Sequence, residues 1–336
     1  MALTRVLKAW SKDIVWYLLA AVLFVEPGGY CRAETATHPT LRVTLLGTGN
    51  PRPSAQRSGP AILIEASTVP PTRILIDVGR GASERLFTTG GRDALAGIDM
   101  VLLTHLHSDH VVGLPDLLLT GWIFGRLKPL VVRGPEGTTD MTSNIVKAFQ
   151  ADIVSRRDLD ERLPGTGVEV DAIDVTPDKP LELNGVRLTP FLVDHGRFKP
   201  AYGWRVDYAG KSVVCSGDTR YSENLINHAR GCDVLIHEVI VPDVERRLSQ
   251  MRDPAATQRV IEHHTTPEEA GRIFTAVHPK LAVYSHIVPS PTTREDAETP
   301  TRKTYSGRLL VGEDLTVIEV DDHIRVSHIR LDHLKK

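Results

Sequence analysis

The run VLLTHLHSDHVVG, residues 101–113, sets how the chain is read. Val101, Leu102 and Leu103 form an apolar stretch suited to a buried strand, and Thr104 ends it. His105, His107, Asp109 and His110 follow at once, and Gly113 closes the run. Four ligand-capable side chains within six residues would crowd one tetrahedral ion. They suit two ions, each taking a pair of ligands here and completing its shell from elsewhere. A histidine-rich surface loop would need neither the strand before it nor matching ligands later in the chain.

Such ligands do recur, each where an apolar run gives way to a loop. His195 follows PFLVD, Asp218 follows KSVVCSG and His286 follows LAVYS. Loops at strand ends carry sites because the sheet behind them is rigid. The reading is His105, His107 and His195 for one ion, Asp109, His110 and His286 for the second, and Asp218 bridging both. Nitrogen and oxygen donors without cysteine favour two zinc ions, with iron or manganese as alternatives. Ions about 3.5–4 Å apart would hold and deprotonate a water between them.

Composition bounds the rest. The 336 residues are 41% hydrophobic and 24% charged, enough apolar material for a sizeable core. A net charge of −2 argues against a strongly basic nucleic-acid-binding surface. Three cysteines make neither a disulfide scaffold nor a thiolate zinc site, and Cys215 and Cys232 are expected to be free. At the start, Arg5, Lys8 and Lys12 precede the apolar stretch Ile14–Val25, which Pro27, Gly28 and Gly29 break before Cys31–Ala33. This is the pattern of a secretory signal peptide over residues 1–33, cut after Ala33. The stretch is shorter than the ~20 apolar residues of a spanning helix. No stable membrane span is expected after cleavage, and a periplasmic or secreted protein follows. An uncleaved anchor is the competing reading.

Residues 34–336 read as one domain. Strands are expected at 41–46, 61–66, 73–79, 98–104 and 129–134, with helices at 81–96 and 111–124. Asn184-Gly185 and Ala209-Gly210 mark tight hairpins. Thr266, Pro267 and Glu269 make a capping box and first helical turn. LAVYSH and LTVIEV are the last strands expected. Strand-rich halves with helices between them point to an α/β (α+β) fold of two packed sheets flanked by helices.

THLHSDHVVG, the lone His195, SGDT (216–219) and YSH resemble the ligand motifs of the metallo-β-lactamase superfamily. LGTG (46–49), YGWRV, VLIHE (234–238) and HHTTPEEAGRIF (263–274) are similar to its ribonuclease Z branch and to arylsulfatase-like relatives. The resemblance covers about residues 41–320. It implies a four-layer αββα sandwich with the metals at the sheet edge and the ligand set given above. It also implies that Glu238 supports His264, which serves the leaving group as proton donor or charge stabiliser. A carboxylate bonded to an imidazole is expected to raise its pKa. Asp109, His264 and Glu238 are thus the candidate catalytic residues. Alternation along the strand points His237 away from Glu238.

One feature departs from the branch. The RNA-gripping arm of ribonuclease Z would fall within YGWRVDYAGKSVVCSGDT, where a tight hairpin leaves no room for it. The resulting expectation is an exported dinuclear zinc hydrolase of small-molecule phosphodiesters or aryl sulfates, with nucleic acid unfavoured and a homodimer left open. Lactone or β-lactam hydrolysis, endoribonuclease activity and a non-catalytic zinc module are the alternatives, in that order.

Overall fold

Hydrophobic alternation builds two sheets back to back. The computed structural model describes residues 40–249 and 253–330; the expected signal peptide lies outside them. The first six strands are β1 (Leu41–Gly47), β2 (Ala61–Ala66), β3 (Thr72–Ile76), β4 (Met100–Leu102), β5 (Leu130–Gly134) and β6 (Val170–Asp174). The next seven form a second sheet: β7 (Leu181–Leu183), β8 (Val186–Leu192), β9 (Tyr202–Tyr208), β10 (Lys211–Cys215), β11 (Val234–Ile240), β12 (Leu281–Val288) and β13 (Leu309–Val311). The chain then returns to the first sheet with β14 (Thr316–Val320) and β15 (Ile324–His328). The spatial orders are β15-β14-β1-β2-β3-β4-β5-β6 and β13-β12-β11-β10-β9-β8-β7.

Leu41, Ile74 and Leu102 from one sheet meet Trp204, Val213 and Ile236 from the other. The next residues along, Leu75, Val101, Val214 and Leu235, are buried on the outer faces. Helices Ala82–Ala96 and Leu114–Ile123 cover the first sheet, placing Leu86, Leu117 and Trp122 against it. Helices Glu223–Ala229, Pro267–Val277 and Arg294–Thr301 cover the second through Ile226, Phe274 and Ala297. Strands buried on both faces read as continuous apolar runs, as β4 does and as β11 does until His237 and Glu238. This is the expected αββα sandwich.

Both hairpin turns are as expected. Asn184 and Gly185 have φ of 50° and 82°, and Ala209 and Gly210 have 46° and 77°. Two successive positive φ values suit the twist of the flanking strands. The Thr266–Glu269 capping box is formed, with Pro267 in the first turn. Elsewhere the sequence reading is too smooth. Gly90 and Gly91 break the helix over 82–96. The helix expected from 111 begins at Leu114, because the ligand loop itself coils into a turn at Ser108–Val111. Helices Pro242–Leu248, Pro254–Glu262 and Arg294–Thr301, and strand β15, were not expected. They are short or mostly polar, so their apolar periodicity is weak.

At one edge the sheets are tied directly. Trp204 Nε1 donates to Leu103 O (3.0 Å), Tyr202 N to Thr104 O (2.8 Å) and Ile287 N to Thr48 O (2.9 Å). Gly217 sits in this seam at φ 60°, where a Cβ would lie 2.4 Å from Tyr202 O. Only glycine fits there.

Candidate metal centre

β3 and β4 run parallel, so Asp77 at the end of one lies beside Thr104 at the end of the other. Buried Asp77 accepts from Thr104 N through Oδ1 (2.8 Å) and from Thr104 Oγ1 through Oδ2 (2.8 Å). The same Oδ2 meets His110 Nδ1 at 2.8 Å. A carboxylate only accepts, so His110 carries a proton on Nδ1, which leaves Nε2 as the nitrogen turned inward to meet an ion. The Thr104 hydroxyl, its proton committed to Asp77, accepts from His105 Nδ1 at 3.1 Å and orients that ring likewise. The sequence reading missed Asp77. Its signal was an acid ending the apolar run RILID beside a ligand-bearing strand.

The remaining expected ligands converge on these two rings. His195 follows β8, and its Nδ1 donates to His263 O (2.9 Å). Asp218 follows β10 in the turn that Gly217 permits. His286 does not end its strand, as expected, but lies inside β12. Ser285 and His286 together oppose Glu238 of β11, a bulge with His286 at φ 47°. A bulge re-aims a side chain without ending the strand.

His107 Nδ1 lies 3.0 Å from His105 Nε2 and 3.2 Å from His195 Nε2. Asp109 Oδ2 lies 3.3 Å from His286 Nε2 and 3.7 Å from His110 Nε2. Asp218 Oδ2 stands 3.4–3.9 Å from the Nε2 atoms of His110, His286, His105 and His195. The two triads and the shared carboxylate are thus grouped as the sequence suggested. The donor set fits cations. Buried His110 Nε2 and Asp218 Oδ1 meet no partner among the described residues, and a buried polar atom without a partner is costly.

The electrostatics follow from burial and mutual proximity. Burial, reinforced by His110, pushes His105 well below its usual value, and burial pushes His195 down to about 3. Burial also opposes charge on His110, yet Asp218, Asp77 and Asp109 outweigh it and hold it well above the usual imidazole range. Burial opposes ionisation of Asp109 too, but His110 and His286 bring it down to about 2.

Glu238 and His264 stand next to this cluster. Glu238 Oε1 lies 3.0 Å from His264 Nδ1 and accepts from Thr219 N and Thr265 N, both at 3.1 Å. His264 Nδ1 is 4.0 Å from Asp218 Oδ2. The expected rise in the His264 pKa is not found. Burial outweighs the nearby carboxylates and lowers it to about 4, while burial and Asp218 push Glu238 well above its usual value. His237, as alternation required, packs edge-on against Phe274 in the outer layer.

Two clefts meet at His107 and His263. One, of about 240 Å³, holds Asn50, Arg52, Glu245 and His264. The other, of about 620 Å³, holds Arg197, Phe198, Arg220 and Arg259. Phe198 packs on the His107 ring at 3.9 Å. Neither His263, half-buried at the junction, nor these arginines were picked out from the sequence. Cys215 and Cys232 are buried and free, on parallel neighbouring strands or beside them. Among the described residues no helix is long and apolar enough to cross a membrane.

Comparison with known proteins agrees with this geometry. A family model described as the beta-lactamase superfamily domain matches residues 72–287. Ribonuclease Z of Mycobacterium bovis (strain BCG / Pasteur 1173P2) is 34% identical over 285 residues, covering 83% of this chain and 98% of its own. Among solved structures, the metallo-beta-lactamase fold protein YhfI from Bacillus subtilis superposes with a TM-score of 0.63 at 19% identity, over 82% of this chain and 98% of its own. Human tRNase Z, short form, gives 0.61 at 21% identity, over 83% and 99%. At those identities the two structures speak to the fold alone. The expectation that nucleic acid is unfavoured now stands against relatives named as ribonucleases. The chain belongs to the metallo-β-lactamase superfamily, in its ribonuclease Z branch, whose fold implies a dinuclear metal site and a metal-dependent hydrolase.

Proposed function

We propose that the protein hydrolyses phosphodiesters at a two-zinc centre held by His105, His107, His195, Asp109, His110, His286 and Asp218, with RNA as the substrate class to test first. The observation that carries this is the His264–Glu238 pair, 3.0 Å apart and beside Asp218. Attack on a planar carbonyl in a lactone or β-lactam does not call for such a second imidazole. Two bound ions would stabilise charge on the attacked and leaving oxygens. Glu238 fixes Nδ1 of His264, which leaves Nε2 as the nitrogen available to the leaving oxygen. Burial keeps the free imidazole neutral, and an anionic substrate beside it would draw a proton onto it.

RNA is favoured over small diesters by two observations. The 620 Å³ cleft beside His195 presents Arg197, Arg259 and Arg220, the last paired with Asp194, against one carboxylate, Glu262; with the Phe198 ring this net positive surface suits phosphates and a base. The missing arm does not separate this chain from the ribonucleases it resembles. The 285 aligned positions take up 83% of this chain and 98% of the Mycobacterium bovis enzyme, so no long insertion divides the two. Export after cleavage at Ala33 would direct the activity to RNA outside the cytosol. N-terminal sequencing from a periplasmic fraction should begin near Glu34; an intact Met1 in the cytosol refutes export.

The test of the chemistry is rate against leaving-group pKa for the zinc-loaded wild type and His264→Ala. The variant should keep both ions. It should lose roughly 10²–10⁴-fold on poor leaving groups such as alkyl alcohols, and far less on nitrophenol. Equal losses across the series refute the acid role. Turnover of nitrophenyl sulfate in place of every diester and of RNA would replace the phosphodiesterase reading with a sulfatase.

A further inference from the structure

The backbone of Glu238 lies where strand pairing lapses on both sides. On one side β10 has already ended at Cys215. On the other, the bulge in β12 sets two residues, Ser285 and His286, against this single one. Glu238 is nonetheless buried, so its N–H and C=O need partners. Side chains supply them. Ser216 Oγ accepts from Glu238 N at 3.1 Å, and Glu238 O accepts from His237 Nδ1 at 2.7 Å. The Ser216 hydroxyl spends its own proton on Gly217 O, 2.6 Å away. One buried oxygen therefore ties the turn that carries Asp218 to the strand that carries Glu238. Ser216 and His237 are both buried, and burial keeps His237 neutral, at about 4, so its Nδ1–H has a fixed role.

We infer that Ser216, assisted by His237, is a positioning residue: it holds Glu238, and through it the His264 imidazole, at a set distance from Asp218. This rests on the proposed role of His264 as leaving-group acid. No backbone ladder does this work, because the Glu238 N–H and C=O face the side on which β10 has ended at Cys215. A displacement of about 1 Å at a reacting group is enough to cost on the order of 10²-fold.

The test uses the zinc-loaded full-length protein and the leaving-group series above. Ser216→Ala removes the link and should keep both ions. It should lose roughly 10–100-fold on poor leaving groups and little on nitrophenol. Ser216→Thr retains the hydroxyl and should restore most of the rate. The His264 Nδ1–H proton resonance, hydrogen-bonded to Glu238, should shift or broaden in the alanine variant and return in the threonine variant. If Ser216→Ala does not fold, Ser216→Cys fills the same space with a weak acceptor and carries the same expectation. Uniform losses across the series, or an unmoved His264 resonance, overturn the inference. A graded profile for His264→Ala with a flat one for Ser216→Ala sinks this inference alone. Flat profiles for both sink the acid role and the inference with it.

Discussion

Replacing Asp77 with asparagine tests whether the sheet itself prepares His110 for a metal. Asparagine keeps an oxygen where Oδ1 accepts from Thr104 N and tolerates the local φ of 58°. In place of Oδ2 it puts an NH₂ group, 2.8 Å from His110 Nδ1. Two donors now face each other. The ring escapes by moving its proton to Nε2, the atom that must be bare to bind an ion. Loss of such a partner to a ligating histidine typically costs 10–100-fold in metal affinity, or about 1.4–2.7 kcal/mol. The ion served by His110 should therefore weaken by roughly that factor, and the ion served by His105 less, through the Thr104 hydroxyl that loses its Oδ2 acceptor. Stability should change little. Asp77→Ala should behave differently: it strands Thr104 N in the interior, about 1–3 kcal/mol, and removes the short polar side chain that makes Asp or Asn tolerant of the positive φ here. Competition with a zinc chelator reads each affinity, and urea unfolding of the metal-free protein reads stability. Wild-type affinity for both ions in Asp77→Asn would refute the reasoning. So would equal destabilisation by the two substitutions.

Two further outcomes follow from the fold. Trp204→Phe removes the 3.0 Å bond that joins the sheets and leaves Leu103 O without it, so urea unfolding should show a loss of about 1–3 kcal/mol. Thr266→Ala breaks the capping box of helix Pro267–Val277 and should cost about 1 kcal/mol by the same measurement, with metal content unchanged.

How much of the site could be read in advance depended on how local each cause is. His105, His107, Asp109 and His110 announce themselves because ligand type and spacing sit in one short stretch. His195 and Asp218 were legible because a strand end is a sequence feature. His264 and Glu238 came through likeness to a family, since nothing in their spacing requires them to meet. The two sheets were legible for the same reason as the loop: alternation and buried runs are local, and hairpin dipeptides fix their register.

What stayed hidden depends on neighbours distant in sequence. Asp77 matters only because β3 and β4 are parallel and end at the same level, and a strand pattern does not state its neighbour. His286 was placed at a strand end because SH looked like a terminus, whereas the strand runs on to Val288 and the bulge does the turning. The rest follows from where β10 stops. It ends at Cys215, one residue short of what Glu238 needs, so the Glu238 N–H and C=O find no strand partner on that side, while the bulge opposite is free to point His286 at Asp109 and Asp218. Ser216 and His237 supply the missing partners, their side chains standing in for a strand. A serine before GD and a histidine before glutamate carry no ligand signal of their own, and their part becomes visible only when the unpaired backbone between them is located.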